Sequence, residues 1–310
     1  MSAKTKLYLL TGFLGSGKTT FLTNVLEDLS ENKVAVIMNE FGKVGIDGTI
    51  VQKEGMELVE INRGSIFCSC LELSFVSALV EMADRDMEYV FVESSGLADP
   101  SNIGEFLDAV IVAKGDVYDY SGAICIVDGV NFLDQVDDIE TVERQLKFAH
   151  LVVISKVDLI DAKKLEQVKE KIREINGKVE IAESINGKVD YNFLEKDLIK
   201  DGWLGVEDTT NTPENRPKTL TLTYNGDLTK EKMTQFLDAI KKDSYRIKGF
   251  FKLEDGWNQV DVVGNRIDYK TTDNEEPESE LVIISKIGPQ LIRPIFNAWE
   301  EIVGEKMKLK

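Results

Sequence analysis

Short apolar runs alternate with amphipathic stretches over the first 200 residues of the chain. The runs are four to six residues long with few polar positions, which is typical of strands buried on both faces of a parallel sheet. The stretches between them have apolar residues at helical spacing, such as Phe21, Leu22 and Val25. This alternation predicts an α/β fold in which helices cover both faces of a parallel sheet. The predicted strands are residues 7–10, 33–38, 58–61, 89–92, 123–127 and 151–154, and the predicted helices are 20–29, one ending near 84, 101–113, 141–148 and 162–175.

The pattern changes near residue 200. Residues 201–217 are rich in Thr, Asn and Gly and contain two prolines, which predicts a linker. Beyond it lie shorter alternating runs, and Gly264-Asn265 has the composition of a hairpin turn, so we predict a smaller α+β domain with an antiparallel sheet. The domains are thus expected at residues 1–200 and 218–310. In the second, strands are predicted at 219–224, 246–253, 259–263, 266–269 and 281–285, and helices at 230–241 and 289–303.

A glycine-rich stretch between the first strand and the first helix fits the phosphate-loop pattern GxxxxGK[ST] at every fixed position. Glycines let the backbone curl without Cβ clashes, so that successive N–H groups converge on a phosphate at the positive end of the helix. Lys18 is expected to reach the β- and γ-phosphates, and Thr19 to bind Mg²⁺. The motif in this context predicts a nucleotide-binding protein. The residues expected to hold the nucleotide here are Gly12, Gly15, Ser16, Gly17, Lys18, Thr19 and Thr20.

Composition narrows the class of partner. With 37 basic and 55 acidic side chains the net charge is −18, which repels nucleic acids and acidic membranes. No apolar run is long enough to span a membrane, and the N-terminus does not read as a signal peptide. Three cysteines in a chain of 310 residues do not make a disulfide framework, and Cys125 lies inside an apolar strand as a core residue. We expect a cytoplasmic protein.

Hydrolysis needs oxygen ligands for Mg²⁺ and for the attacking water near the carboxyl ends of the strands. Glu93 follows an apolar strand, where a carboxylate is costly unless it has partners. Asp47, in a glycine-containing loop, is the second candidate, although Asp beside Gly48 is also a common turn former. Together with Lys18, these are the predicted catalytic residues. The backbone N–H of Gly96 is expected to sense the γ-phosphate and to reposition its segment after hydrolysis.

Five stretches in order along the chain resemble a known family. They are GFLGSGKTT, NEFGKVGIDG, ESSGLADP, SKVDL and, in the second half, RIKGFFKL. The chain resembles the CobW-like GTPases, a branch of the metal-handling P-loop GTPases related to the urease and hydrogenase accessory GTPases. The resemblance implies a GTP-hydrolysing protein that inserts, moves or allocates a metal ion or a metal-containing cofactor such as cobalamin. Its partner would be a client metalloprotein or corrinoid protein, and a homodimer is left open.

The base-reading motif departs from the pattern of this family. The family usually has NKxD, whereas this chain has Ser155 in place of the asparagine, followed by Lys156 and an intact Asp158. Asp158 is expected to accept hydrogen bonds from the N1–H and N2–H₂ of guanine, and the stem of Lys156 to pack along the base. Ser155 can still make one hydrogen bond. Guanine therefore remains the expected base, since adenine has no matching donors.

The thiol motif departs further. The family usually carries GCxCC before the second helix, but this chain has Ser65 and Phe67 at two of the three thiol positions, with Cys68 and Cys70 remaining. In an extended or turn segment both thiols can face one ion. The resemblance implies Glu40 as a third ligand, and two thiolates with a carboxylate suit Zn²⁺ or Co²⁺ in an open site. The alternative is that both cysteines are simply buried under the helix.

Two functions of different class therefore stay open. The first is a slowly hydrolysing GTPase metallochaperone, whose nucleotide state changes the exposure of a metal site. The second is a nucleotide-gated activator or docking module for a corrinoid or metalloenzyme, without a metal site of its own. A small-molecule kinase is disfavoured, since the motifs include no evident acceptor site. His150 is assigned no role beyond capping or packing.

Overall fold

Two units make up the chain in the computed structural model, Met1–Glu214 and Asn215–Lys310. The structure describes residues 4–40, 56–62, 72–196, 198–199, 217–273 and 276–310. Of the linker predicted at residues 201–217, only Pro217 falls within these ranges. No helix in the described ranges is long and apolar enough to cross a bilayer.

The first unit is built on a parallel sheet. In the described part of the unit the sheet has seven strands in the order β3-β2-β4-β1-β5-β6-β7, and every pairing is parallel. The strands are β1 (Thr5–Thr11), β2 (Val34–Glu40), β3 (Met56–Asn62), β4 (Tyr89–Glu93), β5 (Tyr118–Asp128), β6 (Leu151–Ser155) and β7 (Glu180–Glu183). The helices are α1 (Lys18–Asp28), α2 (Glu72–Met82), α3 (Ile103–Lys114), α4 (Phe132–Gln135), α5 (Glu140–Lys147) and α6 (Ala162–Ile175).

Alternate residues of the central strand β1 point to two separate cores. Tyr8 and Leu10 lie with α1 in one apolar cluster, whereas Leu7 and Leu9 lie with α2 and α3 in another. All four side chains are at most 1% exposed, because side chains of successive strand residues point to opposite faces. The prediction of a parallel sheet with helices on both faces is confirmed. The residues predicted to bind the nucleotide cluster at one edge of this sheet, where the carboxyl ends of the strands lie.

Several boundaries differ from the sequence prediction. Strand β5 begins at Tyr118 rather than at residue 123, because a bulge near Gly122, whose φ is +117°, joins two paired halves. Strand β7 was not predicted, since two of its four residues are exposed glutamates. A short 3₁₀ turn at Pro100–Asn102 precedes α3, where the sequence suggested that the helix had already begun.

The second unit is an antiparallel sheet packed on two helices, which confirms the predicted smaller α+β fold. Its strand order, for the residues described, is β11-β10-β9-β12-β8-β13. Trp299 is 2% exposed in its core, with its ring 5.1 Å from those of Tyr224 and Phe236. The elements are β8 (Thr219–Tyr224), α7 (Lys230–Ile240), β9 (Ser244–Leu253), β10 (Gly256–Val263), β11 (Arg266–Thr271), β12 (Ser279–Ser285), α8 (Ile292–Ile302) and β13 (Lys308–Leu309).

Candidate functional site: a nucleotide cradle at the carboxyl edge of the sheet

The loop between β1 and α1 is shaped by three glycines with positive φ. Gly12, Gly15 and Gly17 have φ of 136°, 74° and 100°, a region that other residues rarely adopt. At Gly12 there is also no space, because a Cβ there would lie 2.3 Å from the carbonyl oxygen of Ile126. The loop therefore passes directly over β5 and curls into the first turn of α1. This is a cradle that presents backbone N–H groups to an anion.

Lys18 begins helix α1 and folds back over this loop. Its Nζ donates to the carbonyl oxygens of Gly12 (2.8 Å) and Phe13 (3.3 Å), and the residue is 8% exposed. The ammonium is thus the positive charge placed at the mouth of the cradle. Ser16 is buried, and its Oγ has no hydrogen-bond partner in the described part of the chain. Thr20 is exposed, and its carbonyl oxygen accepts from Asn24.

Thr19 and Glu93 meet at the next position. Thr19 Oγ1 donates to Glu93 Oε1 at 2.8 Å, which joins the start of α1 to the end of β4. The two strands that deliver them, β1 and β4, are direct neighbours, with Leu10 paired to Glu93. Glu93 is 6% exposed at this edge. A hydroxyl and a carboxylate side by side are the oxygen ligands that Mg²⁺ takes in nucleotide sites, so the residues present fit that ion.

The segment that follows β4 is packed directly on the phosphate loop. Ser94 donates from both its N–H (3.0 Å) and its Oγ (3.0 Å) to the carbonyl oxygen of Leu10. A Cβ on Gly96 would lie 2.7 Å from the backbone nitrogen of Leu14 and 2.9 Å from its Cα. Only glycine fits so close an approach, because the atoms in the way belong to backbone. Any shift of the phosphate loop around a bound phosphate must therefore also displace Gly96.

The base-reading motif is tied to the same loop from the other side. Ser155 Oγ donates to the carbonyl oxygen of Ser16 at 2.6 Å. Lys156 has φ of 59°, and its Nζ bridges the carbonyl oxygen of Gly15 (2.9 Å) and Asp128 Oδ2 (2.7 Å). Asp158 is exposed and has no hydrogen-bond partner among the described residues. The structure thus ties Ser155 and Lys156 to the phosphate loop, and Ser155 Oγ also lies within hydrogen-bond distance (3.2 Å) of the carbonyl oxygen of Val127.

Two further features of this edge escaped the sequence analysis. Ser184 is 1% exposed directly after β7, its N–H donates to Ile154 O at 2.8 Å, and its Oγ has no partner in the described chain. Gly187 has φ of 78° and touches the first turn of α1, where a Cβ would lie 2.9 Å from the backbone of Thr20. Asn24 Nδ2 closes this contact by donating to Asn186 O at 3.0 Å. The only local signal was the Asn-Gly turn.

The remaining predicted ligands fall largely outside the described residues. Glu40 is the last residue of β2, the strand beside β4, whereas Asp47, Cys68 and Cys70 lie outside the described ranges. Within those ranges, no cluster of three or more His, Cys, Asp or Glu side chains is placed to hold a metal ion. The proposed metal ligands are therefore carried forward as predictions.

The predictions for Cys125 and His150 are confirmed. Cys125 is 2% exposed in β5, and burial raises the pKa of its thiol to about 12. A thiol that resists ionisation is a poor metal ligand. His150 is also buried, and its Nδ1 accepts from the N–H of Ala123 at 3.0 Å, so the imidazole helps to close β5 against the start of β6.

Comparison with known proteins covers both units. Residues 6–183 match the family model described as the CobW/HypB/UreG nucleotide-binding domain. Residues 218–299 match the model described as the C-terminal domain of the cobalamin synthesis protein cobW. The first match alone covers more than half of the chain, and it includes every described residue of the cradle except Ser184 and the turn after it.

Individual proteins that match this chain do so at low sequence identity. The chain is 30% identical over 211 residues to a zinc chaperone CobW from Sinorhizobium sp, covering 58% of this chain and 59% of that protein. It is 26% identical over 255 residues to zinc-regulated GTPase metalloprotein activator 1 of Dictyostelium discoideum, covering 68% and 54%. A crystal structure of Zn(II)-bound YjiA GTPase from E. coli aligns over 97% of this chain and 99% of that one, with 20% identity and a TM-score of 0.47. The chain thus spans less than two thirds of the length of these curated relatives.

Proposed function

Because this chain belongs to the CobW/HypB/UreG family of nucleotide-binding proteins, we propose that it is a slow GTPase that delivers a divalent metal ion to a client protein. The observation that carries the GTPase part is the contact of Thr19 with Glu93 beside a glycine cradle. This contact puts two oxygen ligands beside the loop over which Lys18 folds, which supports charge neutralisation of a nucleoside triphosphate there. Phosphoryl transfer depends on such positioning more than on covalent chemistry.

In this proposal Thr19 and Glu93 hold Mg²⁺ together with the phosphates, and the ion supplies charge neutralisation. Lys18 turns from the loop carbonyls toward the β- and γ-phosphates. Asp47, whose position lies outside the described residues, remains our second acidic candidate for metal or water contacts. Because their partners are the ion and the water, Glu93→Ala and Asp47→Ala should each slow hydrolysis while nucleotide is still bound. Wild-type turnover in Asp47→Ala would return Asp47 to the role of a turn former.

The metal cargo rests on the relatives and on the thiols. Relatives of this chain are named zinc chaperones and zinc-regulated GTPase metalloprotein activators. We propose that Cys68, Cys70 and Glu40 bind Zn²⁺ or Co²⁺ in an open site, from which the ion can leave for the client. The affinity should change between the GTP-bound and GDP-bound protein, because the chain between Glu40 and Asp47 joins the metal ligands to the γ-phosphate side. We propose that this activity takes place in the cytosol, which is supported by a chain with three cysteines and no disulfide framework.

The second candidate function keeps the GTPase and omits the cargo. The name metalloprotein activator fits a module that docks on a metalloenzyme or corrinoid enzyme and carries no ion. The observation in its favour is that Ser65 and Phe67 stand at two of the three thiol positions usual in the family. Metal content after purification under reducing conditions separates the two functions, since only the chaperone should bind close to one ion per chain.

The nucleotide part is tested by titrating GTP and ATP in the presence of Mg²⁺. Wild type should prefer GTP, and Lys18→Ala should lose at least about 100-fold in affinity or all turnover, because the main positive charge at the phosphates is gone. The exposed Lys163 on α6 gives the control Lys163→Ala, which should behave as wild type. Equal or tighter binding of ATP would refute guanine selection by Asp158.

The metal part is tested by anaerobic titration of Co²⁺. Wild type should develop a thiolate-to-metal charge-transfer band that is lost in the Cys68→Ser/Cys70→Ser variant. Cys125→Ala is the matched control, and it should keep the band because that thiol is buried and its pKa is raised to about 12. Identical spectra for wild type and the double variant would mean that the proposed site does not exist.

A further inference from the structure

Two adjacent side chains of helix α5 form hydrogen bonds with the segment that follows β4. Gln145 is 1% exposed, and its Nε2 donates to the carbonyl oxygens of Ala98 (2.8 Å) and Gly96 (3.4 Å). Its neighbour Arg144 donates from Nε to Asp99 Oδ2 at 2.7 Å. The helix thus holds three groups of a segment that lies 45 to 49 residues earlier in the chain.

The opposite side of that segment faces the phosphate loop. Gly96 approaches the backbone of Leu14 so closely that a Cβ would lie 2.7 Å from its nitrogen. Ala98 closes a turn by donating from its N–H to Ser95 O at 3.0 Å. The turn is therefore sandwiched between the phosphate loop and α5. Because glycine has few conformational preferences of its own, the direction of the Gly96 peptide groups must be set by these neighbours.

We propose that Gln145 is a positioning residue for GTP hydrolysis, acting by fixing the Gly96 and Ala98 carbonyl groups so that the Gly96 N–H stays aimed at the γ-phosphate. This inference rests on the proposed GTPase function. The Gly96 N–H donates to no described residue, which leaves it available to a phosphate oxygen. Gln145 itself lies behind the turn and acts only through Gly96. Since GDP has no γ-phosphate, Gln145 should matter for hydrolysis and not for GDP binding.

Gln145 is a cleaner target than Arg144. Asp99, the partner of Arg144, also accepts from Ser101 N–H at 3.1 Å and so caps the turn that leads into α3. Removing Arg144 would disturb a carboxylate that is 2% exposed, and the resulting loss of stability would obscure any kinetic effect. The neutral amide of Gln145 can be replaced by an apolar side chain of similar length. Gln145→Met keeps the volume and removes both donated bonds.

The test compares Gln145→Met with Val142→Ala, a buried apolar position on the same helix that makes no side-chain hydrogen bond. In Gln145→Met the kcat for GTP should fall about 10-fold, as expected for two lost hydrogen bonds, while GDP affinity stays within about twofold. Val142→Ala should lower the melting temperature and leave kcat unchanged. Amide exchange of the residues 95–99 should be faster in Gln145→Met than in either wild type or Val142→Ala.

Three results would overturn the inference. They are an unchanged kcat in folded Gln145→Met, an equal loss of kcat in Val142→Ala, or GDP affinity that falls in parallel with kcat. If wild type hydrolyses no GTP, the proposed function fails instead. In that case the amide exchange of residues 95–99 still decides whether Gln145 holds the turn, and unaltered exchange would refute it independently.

Discussion

At the phosphate end of the cradle the shape is made by backbone, whereas at the base end the contacts are made by side chains. Gly12 and Gly17 have positive φ, and the main chain around them leaves no space for a Cβ at Gly12. At the base end, Ser155 and Lys156 reach the loop carbonyls through a hydroxyl and an ammonium. Both ends are attached to the same six-residue loop between β1 and α1.

This difference explains which positions can change. The backbone cradle forms only where side chains are absent, so replacing one of its glycines disrupts the cradle as a whole. A side-chain contact can be made by more than one residue type, and here Ser155 donates to Ser16 O at the position where the family usually has an asparagine. The phosphate end consequently matches every fixed position of its motif, whereas the base end departs from the usual motif at Ser155.

The largest effect should come from Gly12→Ala. The new methyl group would lie 2.3 Å from Ile126 O at a φ of 136°, so we expect a loss of about 3 kcal/mol or more of folding stability and no measurable nucleotide binding. Gly177→Ala is the matched control, because its Cβ would meet only Arg173 O at 3.5 Å. Urea unfolding and GTP titration of both variants provide the measurement. Normal binding by Gly12→Ala would contradict the backbone account.

A smaller effect, confined to the base, should follow from Asp158→Ala. Losing the acceptor for two guanine donors should lower the preference for GTP over ATP by about 100-fold, while ATP affinity stays unchanged. Glu170→Ala removes another exposed carboxylate, on α6, and should keep the preference. Competition binding with labelled GTP measures the ratio. A preserved ratio in Asp158→Ala would assign base selection to another residue, and Ser184 would be the next to change.

The smallest effect should come from Ser155→Ala. Removing its bond to Ser16 O loosens the loop, so GTP and ATP affinities should fall together by about fivefold, with no change in their ratio. Wild type should also bind 7-deaza-GTP within about twofold of GTP, because the Ser155 hydroxyl already has backbone acceptors in Ser16 O and Val127 O and is not needed at N7 of the base. A fall in GTP affinity alone would show that Ser155 reads the base directly.

The sequence predicted those parts of the molecule whose signals are local. The phosphate loop is a contiguous motif, and α6 (Ala162–Ile175) was predicted at its observed bounds because its pattern of charged and apolar residues is local. Strand β5 was begun five residues late, since Asp119 and Ser121 break its apolar run. Strand β7 has two exposed glutamates and gave no apolar run at all.

In the site, what escaped prediction depends on contacts between distant parts of the chain. In the sequence Gln145 is an ordinary helix residue, and only the fold brings its amide to the carbonyl oxygen of Gly96. Ser184 likewise lies at the site only because β7 pairs with β6. The link between Lys156 and Asp128 spans 28 residues and two strands. No periodicity or motif within a short window predicts such long-range contacts. The sequence therefore identified the motifs, but not the residues that hold the motifs in place.

The order of the strands divides the molecule in a way that matters for engineering. On one side of β1 lie β4, β2 and β3, whose carboxyl ends carry Glu93 and Glu40. On the other side lie β5, β6 and β7, which deliver Asp128, the base-reading motif and Ser184. Under the proposed function, a chimera that exchanges only the segments after β6 and β7 should change the nucleotide preference and leave the proposed metal ligand Glu40 untouched, so the two properties could be selected one at a time in the same scaffold.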